Sequence, residues 1–156
     1  AGRTARSPCR GDGRWQPRYV SIAGWGRVGS RMARRLGDGR HDVVVIDEGA
    51  GSFRLVGGRF RGHRVVGSAI DWDVLMEAGI EGADAVAATT RGDNTNLICA
   101  LIAARAFEVP CSVARVYDPH RAAAFAALGV STVCPTEDAS RPMLDAVLAC
   151  PAAEEE

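Results

Sequence analysis

The segment that most constrains this chain is Gly24-Trp25-Gly26-Arg27-Val28-Gly29. Before it stands a short apolar run, Tyr19-Val20-Ser21-Ile22-Ala23. After it, Ser30 to Leu36 reads as a helix, with Val28, Met32 and Leu36 at helical spacing on one face. Three glycines so spaced are common by chance. Set between a strand and a helix, with Asp47 closing the next strand about twenty residues on, they form a dinucleotide-binding fingerprint. Gly24 permits the tight turn out of the strand. Gly26, lacking a Cβ, lets phosphate approach the backbone, and Gly29 lets helix and strand pack closely. Phosphate then rests on the unpaired amides of the helix N-terminus, around Arg27 and Val28, where the helix dipole favours negative charge. Asp47 is expected to accept hydrogen bonds from ribose hydroxyls and to repel a 2′-phosphate, which favours NAD over NADP.

The alternation continues down the chain. Strands are expected at Val43–Ile46, Arg64–Val66, Ala83–Ala88, Cys111–Val116 and, weakly, Ser131–Val133. Helices are expected over Asp73–Ala78, Asn94–Phe107 (the longest, capped by Asp93), Arg121–Leu128 and about Ala139–Leu148. Val43-Val44-Val45-Ile46 is an unbroken β-branched run, as in a parallel strand buried on both faces. Strict alternation implies an α/β fold: a Rossmann-like, doubly wound parallel sheet of about six strands with helices on both faces. Residues 1–17 read as a disordered basic tail, 18–150 as one nucleotide-binding domain, and 151–156 as an acidic tail.

In such sheets ligands bind at the carboxyl ends of the strands. Gly67-Ser68-Ala69 ends the third strand with small residues suited to lie beside an adenine. Thr89 and Thr90 end the fourth, within reach of ribose or phosphate, or as ordinary turn residues. Arg27 is either a solvated first-turn residue or a cation near the ligand phosphates. Arg115 stands inside an apolar strand, and a buried arginine needs a partner: a phosphate, an acid such as Asp118, or a neighbouring subunit. Asn96 either touches ligand or finishes a helix start.

Composition removes other classes. With 47% apolar and 24% charged residues the chain is that of an ordinary soluble domain, and no apolar run is long enough to cross a bilayer. A cytosolic location, and hence reduced cysteines, is the expectation. The five cysteines have no metal-ligand or redox spacing, and His41, His63 and His120 are scattered, so no metal site is expected. All 19 basic residues are arginine, so no Tyr-x-x-x-Lys pair exists to serve hydride transfer. An NAD-dependent oxidoreductase fragment is the alternative, and it lacks an evident acid or base. Five arginines make the first eighteen positions basic, either a solvated tail or an arm for anionic lipid or nucleic acid, but tail arginines alone make no basic face on the folded part, so no nucleic-acid partner is expected.

Five stretches together resemble a known family. They are Ala23 to Gly29, His41 to Asp47, Val74-Leu75-Met76-Glu77-Ala78-Gly79-Ile80-Glu81-Gly82-Ala83-Asp84-Ala85, Gly92 to Asn96, and Ala114 to Pro119. The sequence is similar to the RCK, TrkA-N or KTN nucleotide-binding domain of Trk/Ktr-type potassium uptake regulators, from about Tyr19 to Ala149. The resemblance implies a non-enzymatic regulatory subunit at the cytoplasmic face of the cell membrane. It would bind NAD(H), or else ATP/ADP, and assemble as a homodimer or higher ring, with a second TrkA-like regulator as a further partner. It would gate a membrane-embedded potassium transporter or channel subunit. The regulatory domain of a potassium channel or efflux antiporter would carry the same fold. The sequence departs from the family at Ser68, where many members have aspartate, and at Thr136, where several have glutamate after the proline. A C-terminal ligand domain usually follows in the family. This sequence stops soon after the expected last helix, as would a fragment or one partner of a two-protein regulator.

Overall fold

The computed structural model describes residues 18–51, 53 and 60–150; the two expected tails lie outside the described residues. Strands β1 (Tyr19–Ala23), β2 (Asp42–Asp47), β3 (His63–Val66), β4 (Ala85–Ala88), β5 (Cys111–Arg115) and β6 (Ser131–Val133) form one sheet in the order β3-β2-β1-β4-β5-β6. Every pairing is parallel. Helices α1 (Arg27–Asp38), α2 (Trp72–Glu77), α3 (Asp93–Arg105), α4 (Pro119–Ala127) and α5 (Pro135–Leu148) alternate with the strands, and a 3-10 turn spans Ile80–Gly82. The order reverses between β1 and β4, and there a crevice opens above the carboxyl ends.

The β-branched run of β2 divides between two cores. Val44 and Ile46 join α2, the 3-10 turn and α3 on one face; Val43 and Val45 join α1 with Trp25 and Phe60 on the other. This period of two, with both sides apolar, forces the central position of β2. A third cluster, built on Ala114, Val116 and Phe125, ties α4 to α3 and β5. Cys99 is sealed in the first core, where burial pushes its thiol up to about 12 and leaves it unreactive. Cys111 is disulfide-bonded, a departure from the expectation of reduced cysteines throughout.

Three element bounds depart from the expectation for local reasons. α1 begins at Arg27 rather than Ser30, because Gly26 already serves as N-cap. Asp93 does not cap α3. Gly92 does, and the Asp93 carboxylate accepts instead from the Tyr117 and Asp118 amides, 2.9 and 3.2 Å away, pinning the β5–α4 turn to the start of α3. α5 begins at Pro135, not Ala139, and at 14 residues it is longer than the 13 of α3. Pro135 suits a first helical position, Glu137 and Asp138 complement the dipole, and the Thr136 hydroxyl donates to the Tyr117 carbonyl at 2.6 Å.

Asp84 fastens the start of β1. Its Oδ2 accepts from the Arg18 and Tyr19 amides at 2.7 and 2.9 Å, and those two bonds hold its carboxyl below the usual carboxylate range. A depressed folded value stabilises above the ordinary aspartate value near 3.8, and the contribution fades as pH falls through the lower folded value. Chemical denaturation of Asp84→Asn against the parent is therefore expected to show the larger stability gap at neutral pH. The gap should narrow on acidification, and one that widens instead would overturn this assignment.

Candidate functional site

The crevice is a cavity of about 840 Å³ above β1, β2 and β4. Its floor is the glycine turn. Gly24 adopts φ +99°, and a Cβ there would lie 2.9 Å from the Thr90 nitrogen. At Gly29 a Cβ would come within 1.9 Å of the Gly24 carbonyl oxygen and 2.7 Å of the Thr89 hydroxyl. Gly26 is different, since nothing lies within 4 Å of the position its Cβ would take. It caps α1 without any side-chain hydrogen bond, so the first-turn amides keep no partner within the helix. Gly26, Arg27 and Val28 face the cavity. The three glycines thus divide into one for the turn, one for approach and one for packing.

Asp47 lines the same cavity at the end of β2, half-buried. Its Oδ2 accepts from the Trp25 amide at 2.7 Å and its Oδ1 from Gly49 at 2.8 Å. Each oxygen retains a lone pair for a ligand hydroxyl. The acid therefore also braces the glycine loop against the β2–β3 turn. Trp25 holds the other side of that loop. It is 4% exposed, and its ring packs on Phe53 and Phe60 at centroid distances of 5.7 and 5.1 Å.

Gly67 and Ala69 line the cavity, whereas Ser68 does not. The Ser68 carbonyl accepts from the Asp71 amide at the start of α2. Thr89 and Thr90 both line it, with hydroxyls already engaged. Thr89 Oγ1 donates to the Ala23 carbonyl at 3.0 Å, and Thr90 Oγ1 to Asn96 Oδ1 at 2.7 Å. Asn96 is fully buried and outside the lining. Its Oδ1 also accepts from the Thr90 amide at 2.8 Å, while its Nδ2 donates to the Thr90 and Arg115 carbonyls at 3.0 and 2.9 Å. Of the two roles open to it in the sequence, the structure gives it the helix start. There it joins the ends of β4 and β5 to the first turn of α3.

Arg115 lines the cavity at 9% exposure, and the acid named among its expected partners does not pair with it. Asp118 caps α4 and pairs with Arg121 instead. The Arg115 guanidinium donates from Nη2 to the Thr90 carbonyl and stacks 4.3 Å from the Tyr117 ring centroid, while its Nε has no partner. Sequence reading also missed Glu48, Arg91, Thr95 and Tyr117, all of which line the cavity. Glu48 and Arg91 each directly follow a residue that was singled out, so adjacency at a strand end was the available signal. Thr95 and Tyr117 lie within the stretches Gly92–Asn96 and Ala114–Pro119 that carry the family resemblance, which was the signal for them. No cluster of metal-ligating side chains occurs among the described residues.

Asn96→Ala removes a buried amide that serves four hydrogen bonds and strands groups of Thr90 and Arg115. The expected loss is about 2–4 kcal/mol of unfolding free energy, read by urea denaturation. A loss below about 0.5 kcal/mol, the range of ordinary surface substitutions, would remove it from this structural role.

Comparison with known proteins gives the family and the fold. Residues 20–136 match the TrkA-N domain. The Trk system potassium uptake protein TrkA of Streptomyces coelicolor is 48% identical over 115 residues, 74% of this chain and 52% of that protein. A homologue from Methanothermobacter thermautotrophicus is 30% identical over 133 residues, 85% of this chain and 61% of its own length. The chain thus spans about half to three-fifths of these relatives. Among solved structures, the TrkA-N domain of the Escherichia coli inner membrane protein ybaL superposes with a TM-score of 0.73 at 21% identity, covering 85% of this chain and 98% of that one. The Kef C-terminal domain of Shewanella denitrificans, in AMP-bound form, gives 0.70 at 23%, covering 85% and 82%. Both share the fold, and the match of 20–136 with the sequence identity to TrkA proteins carries the conclusion: this chain belongs to the TrkA-N domain family.

Proposed function

We propose that this chain is the nucleotide-sensing domain of a potassium-uptake regulator, binding NAD(H) or an adenine nucleotide and gating a membrane-embedded pore without catalysing a reaction. The observation that carries it is the pairing of an uncapped α1 N-terminus with Asp47 across one cavity: amides for phosphate at one side, a carboxylate for ribose hydroxyls at the other. Proteins of the same fold support the ligand class, for one structure is of a GsuK bound to ADP and another of a GsuK channel bound to NAD. The relatives' names supply the potassium system.

Assembly is part of the reading. On α5, Met143, Leu144, Val147 and Leu148 are 58–75% exposed, an apolar stripe that a homodimer or ring would cover. An apolar groove of about 400 Å³, bordered by Met32, Val113 and Val133, opens beside the start of α5. In this reading the pore belongs to a membrane-embedded potassium transporter or channel subunit, in keeping with the relatives' names, and the domain acts on it from the cytoplasmic face. Ligand exchange biases that pore only if the ligand binds one arrangement of the assembly better than the other.

Thermal denaturation tests the ligand class. A nucleotide at about 100 times its dissociation constant adds about 2.7 kcal/mol, roughly 5–10 °C for a domain of this size. The expected result is such a shift with NAD(H) or with ATP and ADP and little with NADPH, whose 2′-phosphate would meet Asp47 and Glu48. Calorimetric titration of Asp47→Ala should show roughly tenfold weaker binding or worse. If that variant binds every nucleotide as tightly as the parent, Asp47 is not the ribose anchor.

A further inference from the structure

One helix of the fold carries an unbalanced charge. On α1, Arg27, Arg31 and Arg35 follow one another at intervals of four residues, and Arg34 stands between the last two. Gly29, Ser30 and Ala33 are buried, so at about 3.6 residues per turn the arginines occupy the opposite, outward side. Arg31 and Arg35 are exposed and Arg34 is half-buried. The first turn of α1 has no acid, and Asp38 is the only one on the helix. Like charges four residues apart repel along a helix, and a cation in the first turn opposes the dipole. None of the four guanidinium groups has a hydrogen-bond or ion-pair partner among the described residues. By contrast, Arg64, Arg105 and Arg121 each donate to an oxygen of the fold. The positive run continues past the C-cap of α1 with Arg40, also exposed. The amide of Asp42 donates to the Arg18 carbonyl at 2.8 Å, so the chain enters the fold beside the foot of α1. The sequence before that point holds Arg3, Arg6, Arg10 and Arg14 against Asp12 alone. α1 supplies the basic face that those arginines alone do not.

We propose that the outward face of α1, centred on Arg31 and Arg35, is a docking surface for anionic phospholipid headgroups. A guanidinium meets phosphate oxygens through two parallel N–H bonds, and each basic residue near an anionic bilayer adds to the attraction. Nothing among the described residues neutralises this face, so its counter-charge comes from outside the domain. α1 has no aromatic, asparagine or glutamine side chain, the groups that stack on bases or read their edges. A line of arginines without them matches a plane of phosphates better than a nucleic acid. The helix is already fixed against Val43 and Val45 through Ala33, so presenting the charges costs little ordering. That a bilayer lies beside the domain rests on the potassium-uptake reading above; the charge of the face does not. Docking there would hold the domain at the membrane that contains its partner.

Co-sedimentation of the full chain with vesicles tests this, using phosphatidylcholine alone and an equal mixture of phosphatidylcholine and phosphatidylglycerol. The variant is Arg31→Gln/Arg35→Gln. Both side chains are exposed and lie outside the nucleotide cavity, so the fold and any nucleotide-induced thermal shift stay as in the parent. The parent is expected to bind the mixed vesicles and not the neutral ones, and to be released at about 1 M salt, where the screening length falls to about 3 Å. The variant should bind roughly tenfold more weakly or worse, since each arginine near such a surface contributes about fivefold. Equal binding to neutral vesicles, no binding to either kind, or equal affinity of variant and parent overturns the lipid surface and leaves the nucleotide reading in place. Tighter retention of mixed-sequence duplex DNA than of the mixed vesicles, lost in the same variant, assigns the face to nucleic acid and overturns it too. A parent that binds the mixed vesicles through these arginines but shows no thermal shift with any nucleotide overturns the sensing reading instead, with this surface intact.

Discussion

Everything in this site depends on how closely α1 can approach the turn that feeds it. A single methyl group at Gly29 would stand 1.9 Å from the Gly24 carbonyl and press on Thr89 at the end of β4. Because that space is free, α1 starts hard against the sheet at the point where strand order reverses, and its first amides face the crevice. Thr89 completes the contact by donating to the Ala23 carbonyl, which locks the ends of β1 and β4 together. The fold needs this approach for packing, and the cavity acquires a floor of unpaired helix-start amides as a by-product.

The polar groups around the crevice are organised before any ligand arrives. Asp47 holds the amides of Trp25 and Gly49, and Asn96 serves the two ends of Thr90 and the carbonyl of Arg115. Such networks, fully satisfied, set loop positions to within small tolerances. Among the described residues, the buried side-chain groups of the lining without a hydrogen-bond partner are Trp25 Nε1 and Arg115 Nε, and the first-turn amides of α1 have none within the helix. In the proposed reading the pocket is braced at Asp47, where a sugar would sit, and open in its hydrogen bonding at the start of α1, where phosphate would enter.

The sequence was informative wherever a residue's role followed from backbone position. The strand–helix alternation, the tight turn at Gly24, the close packing at Gly29 and the place of Asp47 at the crevice all follow from periodicity and the spacing of the fingerprint. Roles that depend on a distant partner were not legible. Asn96 was open between ligand and helix start, because nothing local reveals that Arg115, nineteen residues on, offers it a carbonyl. Asp93 looked like a cap because caps are the local use for an acid at a helix start; its true partners arrive with the β5–α4 turn. Arg115 was expected to find an anion, and the Tyr117 ring and the Thr90 carbonyl satisfy it in part.

Tyr117 is used twice. Its ring lies beneath the Arg115 guanidinium, and its carbonyl receives the Thr136 hydroxyl in the first turn of α5. The side chain and the peptide carbonyl of this one residue therefore anchor a cavity-lining arginine and the first turn of α5 together, so the apolar stripe of α5 is tied at its root to the cavity wall.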